Sequence, residues 1–196
     1  MSEAAGAARG RLVLASASPR RLALLAQIGL TPDEIIAPDI DESWERLENP
    51  RLYVQRMARG KNAAVSTEGF VLAADTVVAV GQRIQPKTET EAEARACLEL
   101  LSGRRHRVLT CVVLRAPDGR LAERVCETAV IFHRMSPGQI RAYLATGEWQ
   151  GKAGGYAVQG HAAAHIRQLC GSYSSVVGLP LFETAQLLRG LGYPLP

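Results

Sequence analysis

The chain has 196 residues, 47% hydrophobic and 21% charged, with a formal net charge of +4. A chain of this length buries a full core without disulfides, and its composition excludes a disordered or fibrous protein. Only 5% of residues are aromatic, which argues against a base-stacking platform for single-stranded nucleic acid.

The first ten residues, MSEAAGAARG, are small and polar, read as a mobile N-terminal segment ahead of one domain spanning 11–196. They lack the apolar stretch of a secretory signal, and no run approaches a membrane span, which predicts a cytoplasmic protein without a membrane partner. Arg11–Ala15 reads as a short buried strand. A helix follows, with Ser18 as N-cap, Pro19 at its first position and Gly29 closing it near Ile28. A second helix is predicted over Pro50–Thr67, then a buried strand over Val71–Val80 interrupted by one carboxylate, Asp75. Thr90–Leu101 is a helix opened by the capping box Thr90-x-x-Glu93 and ended by Gly103. Arg107–Arg115 and Leu121–Arg134 alternate as strands and join across the turn signal Asp118-Gly119. A helix over Gln139–Thr146, a glycine-rich stretch at 151–160, a strand near His165–Leu169 and a helix over Pro180–Arg189 complete the chain. Interleaved helices and strands with one hairpin predict a single α/β domain, its mixed twisted sheet flanked by helices.

Arg20 and Arg21 fall in the first turn of a helix, where the macrodipole disfavours cations. The same helix end offers backbone N–H groups to anions, so a phosphate there would explain both arginines; solvent exposure would explain them too. Asp75 in its apolar strand needs a metal, a cation or hydrogen bonds to be buried ionised. Position alone leaves open a crevice carboxylate or a structural Asp paired with Arg or a helix end. Lys61, Lys87, Lys152 and Gln159 are separated donors of the kind a triphosphate needs around it. Asp41 and Glu42 are adjacent acids available to a divalent metal. His161 and His165 have helical zinc spacing, but no Glu follows the first, and a zinc site is rejected. The four cysteines, Cys97, Cys111, Cys126 and Cys170, lie in apolar surroundings without a C-x-x-C pair and read as buried free thiols.

Seven segments together resemble the Maf family of nucleoside triphosphate pyrophosphatases. They are LASASPRR (14–21), PDIDES (38–43), YVQRMARGK (53–61), AADTVV (73–78), LSGRRHRVLT (101–110), TGEWQGKAGGYAVQG (146–160) and GSYSSVVGLPLFET (171–184). The resemblance implies a mixed-sheet fold with a deep nucleotide-binding cleft, a homodimer, and hydrolysis between the α- and β-phosphates with Mg²⁺ or Mn²⁺. It implies Asp75 as catalytic base and, with Glu42, as metal ligand. Ser16, Arg20, Lys61, Lys87 and Gln159 match positions that hold substrate, while Arg21, Thr76 and Gln159 match positions linked to base selection. Thr after the catalytic Asp marks the branch acting on dTTP and UTP, where a sister branch linked to methylated GTP has Gln. The chain makes three departures from the family pattern: Pro86 and Thr88 flank the loop lysine, Gly151 replaces an acid, and Gly60 replaces a Glu. A non-catalytic nucleotide-binding regulator of septum formation and a nucleic-acid-binding protein are the competing readings. The intact acid and lysine set disfavours the first, and scattered positive charge the second.

Overall fold

Strand β1 (Leu12–Ala15) is wholly buried and lies at the centre of the sheet's parallel part. The computed structural model describes residues 10–45 and 48–195, so most of the segment expected to be mobile lies outside the described residues. From β1 the chain enters α1 (Pro19–Gln27), crosses to β2 (Glu34–Ile36), and returns through α2 (Pro50–Ala63) to β3 (Phe70–Val80). Both β2 and β3 pair in parallel with β1. After the short antiparallel β4 (Arg83–Gln85) and β5 (Lys87–Thr88) comes α3 (Glu91–Leu101), opened by the expected Thr90–Glu93 capping box. The hairpin β6 (Arg105–Arg115) and β7 (Leu121–Phe132) extends the sheet antiparallel to β3. Next come α4 (Pro137–Leu144), β8 (Lys152–Ala153), a 3-10 turn at His161–His165, β9 (Ile166–Cys170), α5 (Tyr173–Val177) and α6 (Leu181–Gly190). Among the described residues the main sheet has seven strands, ordered β2-β1-β3-β6-β7-β9 with β4 on β3, and β5 pairs separately with β8.

The sheet is covered on both faces because its central strands are apolar on both. Leu12, Leu14, Leu72 and Ala74 pack against Leu24 and Leu25 of α1 and Leu187 and Leu188 of α6. Val77, Ala79, Leu109 and Cys111 meet Val54 and Ala58 of α2 on the other face. A third cluster, with Val78, Leu98, Phe132, Trp149 and Tyr156, ties α3 and α4 to the far end of the sheet. Full burial of each such leucine contributes roughly 2 kcal/mol.

Several expectations need correction. Helix α2 stops at Ala63 rather than at Thr67, because Val65 turns inward to pack beside Val13 and Val71. The strand expected near His165–Leu169 is β9, which begins at Ile166 after a 3-10 turn at His161–His165. All four cysteines are free, but only Cys97 and Cys111 are buried; Cys126 is half-buried, and Cys170 is exposed at the end of the sheet's edge strand. Among the described residues no helix is long and apolar enough to cross a membrane.

Candidate active site

Strand β1 ends at Ala15, opposite Ala73, whereas β3 runs seven residues further. Beyond that point β3 has no neighbour on that side until β4 joins it at Val78, and the β1 chain turns away at Ser16. A cleft of about 480 Å³ opens there. This is the crevice expected beyond the carboxyl end of a strand in an open α/β sheet. Asp75, Thr76 and Val78 of β3 line it, and alternation sends the adjacent Asp75 and Thr76 side chains to opposite faces.

Asp75 points to the α2 face and is 4% exposed. Lys61, 8% exposed, reaches it from the last turn of α2, with Nζ donating to Oδ1 at 2.7 Å. The same ammonium lies 2.6 Å from Oε1 of Glu42, and Lys87 donates to Oε2 of Glu42 at 2.5 Å. Partial burial alone would push the Glu42 carboxyl up, but hydrogen bonds from Lys61 and Lys87 and their charges outweigh it and bring it down to about 2. The Glu42 loop is held on α2 by the Tyr53 hydroxyl, which donates to the Glu42 carbonyl at 2.8 Å, and by Arg56, which donates to the Ser43 carbonyl. Asp41 does not join the cleft: its carboxylate accepts from the Ser43 N–H in a local turn.

The opposite wall is cationic. Arg21 is buried, and burial lowers its pKa although Asp75 opposes the shift. Its Nε donates to the Gly178 carbonyl at 2.9 Å and its Nη1 to Ser16 Oγ at 2.7 Å. Ser16 Oγ also accepts from the Ser18 N–H at 3.3 Å. With both lone pairs of that hydroxyl engaged, its proton is left to donate into the cleft. Ser18 stands at the N-cap of α1 but makes no side-chain capping bond, so its expected cap is absent. Arg20 has no hydrogen-bond or ion-pair partner among the described residues, and desolvation lowers its pKa. Lys152 lines the same wall; desolvation, then the charge of Arg20, lowers its pKa. No carboxylate of the described residues forms a salt bridge with Arg20, Arg21 or Lys152.

The cleft therefore gathers Ser16, Arg20, Arg21, Glu42, Lys61, Asp75, Thr76 and Lys87 from distant parts of the sequence. Gln159 is not among them; it is exposed in the turn before the 3-10 segment, outside the lining. Sequence reasoning passed over Tyr156, Gln150 and the Val176–Gly178 segment, all of which line the cleft. The β5–β8 pairing, Lys87 opposite Ala153 and Thr88 opposite Lys152, brings the loop lysine and the glycine-rich stretch together, and two-residue strands carry no periodic signal.

The departures from the family pattern are accommodated locally. Thr88 donates its hydroxyl to the Trp149 carbonyl at 2.7 Å, which fixes the loop carrying Lys87. At Gly60 a Cβ would stand 3.2 Å from Ile40 Cδ1, so its absence lets the segment leading to Glu42 lie close to α2. Gly151 lines the cleft in a left-handed turn, φ 63°, with open space where a side chain would be. His161 is paired with Glu148, and His165 stacks on His133. Among the described residues no three His, Cys, Asp or Glu side chains are grouped to hold a metal. Glu42 and Asp75 are two carboxylates converging on one ammonium, a donor set that suits Mg²⁺ when phosphate oxygens complete it.

The chain resembles known proteins along nearly its whole length. A protein of Gluconobacter oxydans named dTTP/UTP pyrophosphatase is 62% identical over 190 residues, covering 93% of this chain and 87% of that protein. One of Caulobacter vibrioides, of the same name, is 60% identical over 190 residues, covering 95% and 98%. The solved structure of a HAM1 protein from Coxiella burnetii shares the fold, with a TM-score of 0.50 at 18% identity over 92% of this chain and 98% of that one. The model of the Maf-like protein family matches residues 11–191, and the chain belongs to that family.

Proposed function

We propose that this protein hydrolyses dTTP and UTP to the monophosphate and pyrophosphate, with Asp75 as general base and a divalent cation held by Glu42 and Asp75. The observation that carries the reading is the pairing of two unlike walls. Arg20, Arg21 and Lys152 face the cleft without carboxylate partners, and opposite them Asp75 and Glu42 are bridged by Lys61. A desolvated cationic wall without acids of its own suits a polyanionic ligand. The relatives named dTTP/UTP pyrophosphatase, at 54–62% identity over more than nine-tenths of this chain, support the choice of substrate.

In this mechanism Asp75 accepts a proton from a water whose oxygen attacks the α-phosphorus. The bond from that phosphorus to the bridging oxygen breaks, and pyrophosphate leaves with the electron pair. Mg²⁺ or Mn²⁺ would supply charge neutralisation at the phosphate oxygens. Lys61 and Lys87, freed from Glu42, turn to the phosphates, while Arg20 and the Ser16 hydroxyl donate from the other wall. Arg21 and Thr76 contact the base, and Gln159, exposed in the free chain, would reach the substrate only through movement of its turn. In this reading the protein is cytoplasmic, and it acts as a homodimer without a nucleic-acid partner; light scattering with and without DNA checks the last two points.

Pyrophosphate release from dTTP, UTP, CTP, ATP, GTP and 7-methyl-GTP, with Mg²⁺ and with chelator, tests the function. Cation-dependent release favouring dTTP and UTP is expected. Preference for the methylated purine would overturn the substrate, and binding without release would favour a regulator. Asp75→Asn should keep nucleotide binding and lose at least about a hundredfold in turnover; wild-type turnover would remove Asp75 from its role.

A further inference from the structure

Thr76 and Thr110 stand opposite each other in the β3–β6 register, on the face away from Asp75. Their hydroxyl oxygens are 2.9 Å apart. Thr110 Oγ1 also lies 2.8 Å from the carbonyl oxygen of Ser175. A carbonyl only accepts, and a hydroxyl carries one proton. Thr110 therefore donates to Ser175, and the proton between the two threonines has to come from Thr76. The Ser175 carbonyl lies near the end of α5, where the N–H groups of both Gly178 and Leu179 go to Ser174 instead. A helix-end carbonyl of this kind needs a donor from outside the helix. Thr110 and Ser175 are fully buried, which keeps water from exchanging into the chain.

Thr76, by contrast, is half-exposed and lines the cleft. A Cβ at Gly178 would lie 3.9 Å from Thr76 Oγ1 and 3.8 Å from Arg21 Nε, so the glycine, at φ 136°, leaves the space before both groups open. We propose that Thr110 is a positioning residue for substrate selection: it takes up the Thr76 proton, so that Thr76 presents only a lone pair to the nucleobase. This deepens the proposed function and rests on Thr76 meeting the base. Uracil and thymine carry an N–H at ring position 3, which such an acceptor receives. Cytosine carries a bare lone pair there and meets lone pair with lone pair. A site whose hydrogen-bonding sense is fixed rejects the wrong partner more strongly than one whose hydroxyl rotates.

The test compares kcat/KM for UTP and CTP in the wild type, Thr110→Val and Thr110→Ser. Valine leaves the Thr76 hydroxyl free to rotate and donate, and the UTP-over-CTP preference should fall by about tenfold or more. Most of the change should appear in KM, and serine should restore the wild-type preference. A merely structural Thr110 would lower both substrates together and leave the ratio untouched, and that result overturns the proposal. Thr76→Val should show the same loss of preference without disturbing Ser175, so a poorly folded Thr110→Val does not end the test; a wild-type ratio in Thr76→Val also refutes the lock. If the wild type cleaves no triphosphate, the proposed function fails. The lock is then read from calorimetric binding of UMP and CMP, where an unchanged ratio in Thr110→Val refutes it and a collapsed ratio supports it.

Discussion

Replacing Lys61 with Met keeps the length and apolar stem of the side chain and removes only the ammonium. In the native protein that ammonium lies 2.7 Å from Asp75 and 2.6 Å from Glu42, with its side chain 10% exposed. The substitution leaves Asp75 buried without its ion-pair partner and sets two carboxylates facing each other. Removing one member of a buried pair costs about 3–5 kcal/mol, because the remaining charge has neither water nor partner. The lower end applies here, since Glu42 keeps Lys87 and is open to solvent. A loss of about 3 kcal/mol at neutral pH corresponds to a fall in Tm of about 6–12 °C for a chain of this size. Urea unfolding of Lys61→Met against wild type measures it. Added Mg²⁺ should stabilise the variant more than the wild type, because the place between the carboxylates is then open to a cation. A loss below about 1 kcal/mol, with no extra response to Mg²⁺, would refute the idea that Lys61 neutralises the buried Asp75 beside Glu42.

Acid should separate two other groups. Glu42 is held down to about 2, so its contribution is present above its unfolded pKa of 4.5 and lost as pH falls through 2; Glu42→Gln should flatten the stability curve in that window, read as urea midpoints against pH. His106 acts with the same sign in a higher window: burial brings it to about 4, so between pH 6.5 and 4 the unfolded chain binds a proton that the folded protein refuses. That costs the wild type about 3 kcal/mol by pH 4, and His106→Gln should be spared it; parallel curves for the two proteins would refute the assignment. Gly154 has φ 69°, and an added Cβ would lie 2.9 Å from Val78 Cγ1. Gly154→Ala should lose about 2–4 kcal/mol from strain and overpacking and weaken turnover by shifting Lys152, and an unchanged Tm would show that the turn relaxes freely.

The elements legible in the sequence were those with long periodic patterns or side-chain caps. The strand around Asp75, the capped helix at Thr90 and the hairpin at Asp118-Gly119 all stand close to where their residues predict them. What escaped was short or tertiary in origin. β2 is three residues long, β5 and β8 are two each, and α5 is five, too few for a period to show. The charged half of the site was readable because a carboxylate in an apolar strand and arginines at a helix start are each costly without partners. The Lys61 bridge was not, since nothing local links α2 to a strand fourteen residues on and a loop nineteen residues back. Nor did the sequence reveal that Asp41, beside Glu42, would be taken up by its own turn.

The two chemical tasks of the cleft separate because β3 alternates. Asp75 turns toward α2, where Lys61 and the Glu42 loop meet it, and this face carries charge. Thr76, one residue on, turns toward α5, where Thr110, Ser175, Gly178 and Arg21 set hydrogen-bonding sense and open space. A single-residue slip of β3 against β6 would exchange the two faces and destroy both functions at once. The long β3–β6 ladder, in register from Val71–Arg115 to Ala79–Arg107, prevents that slip. Changes on one face should therefore act on the other only through the strand itself. Asp75→Asn should reduce turnover for UTP and CTP by the same factor, whereas Thr110→Val should change their ratio.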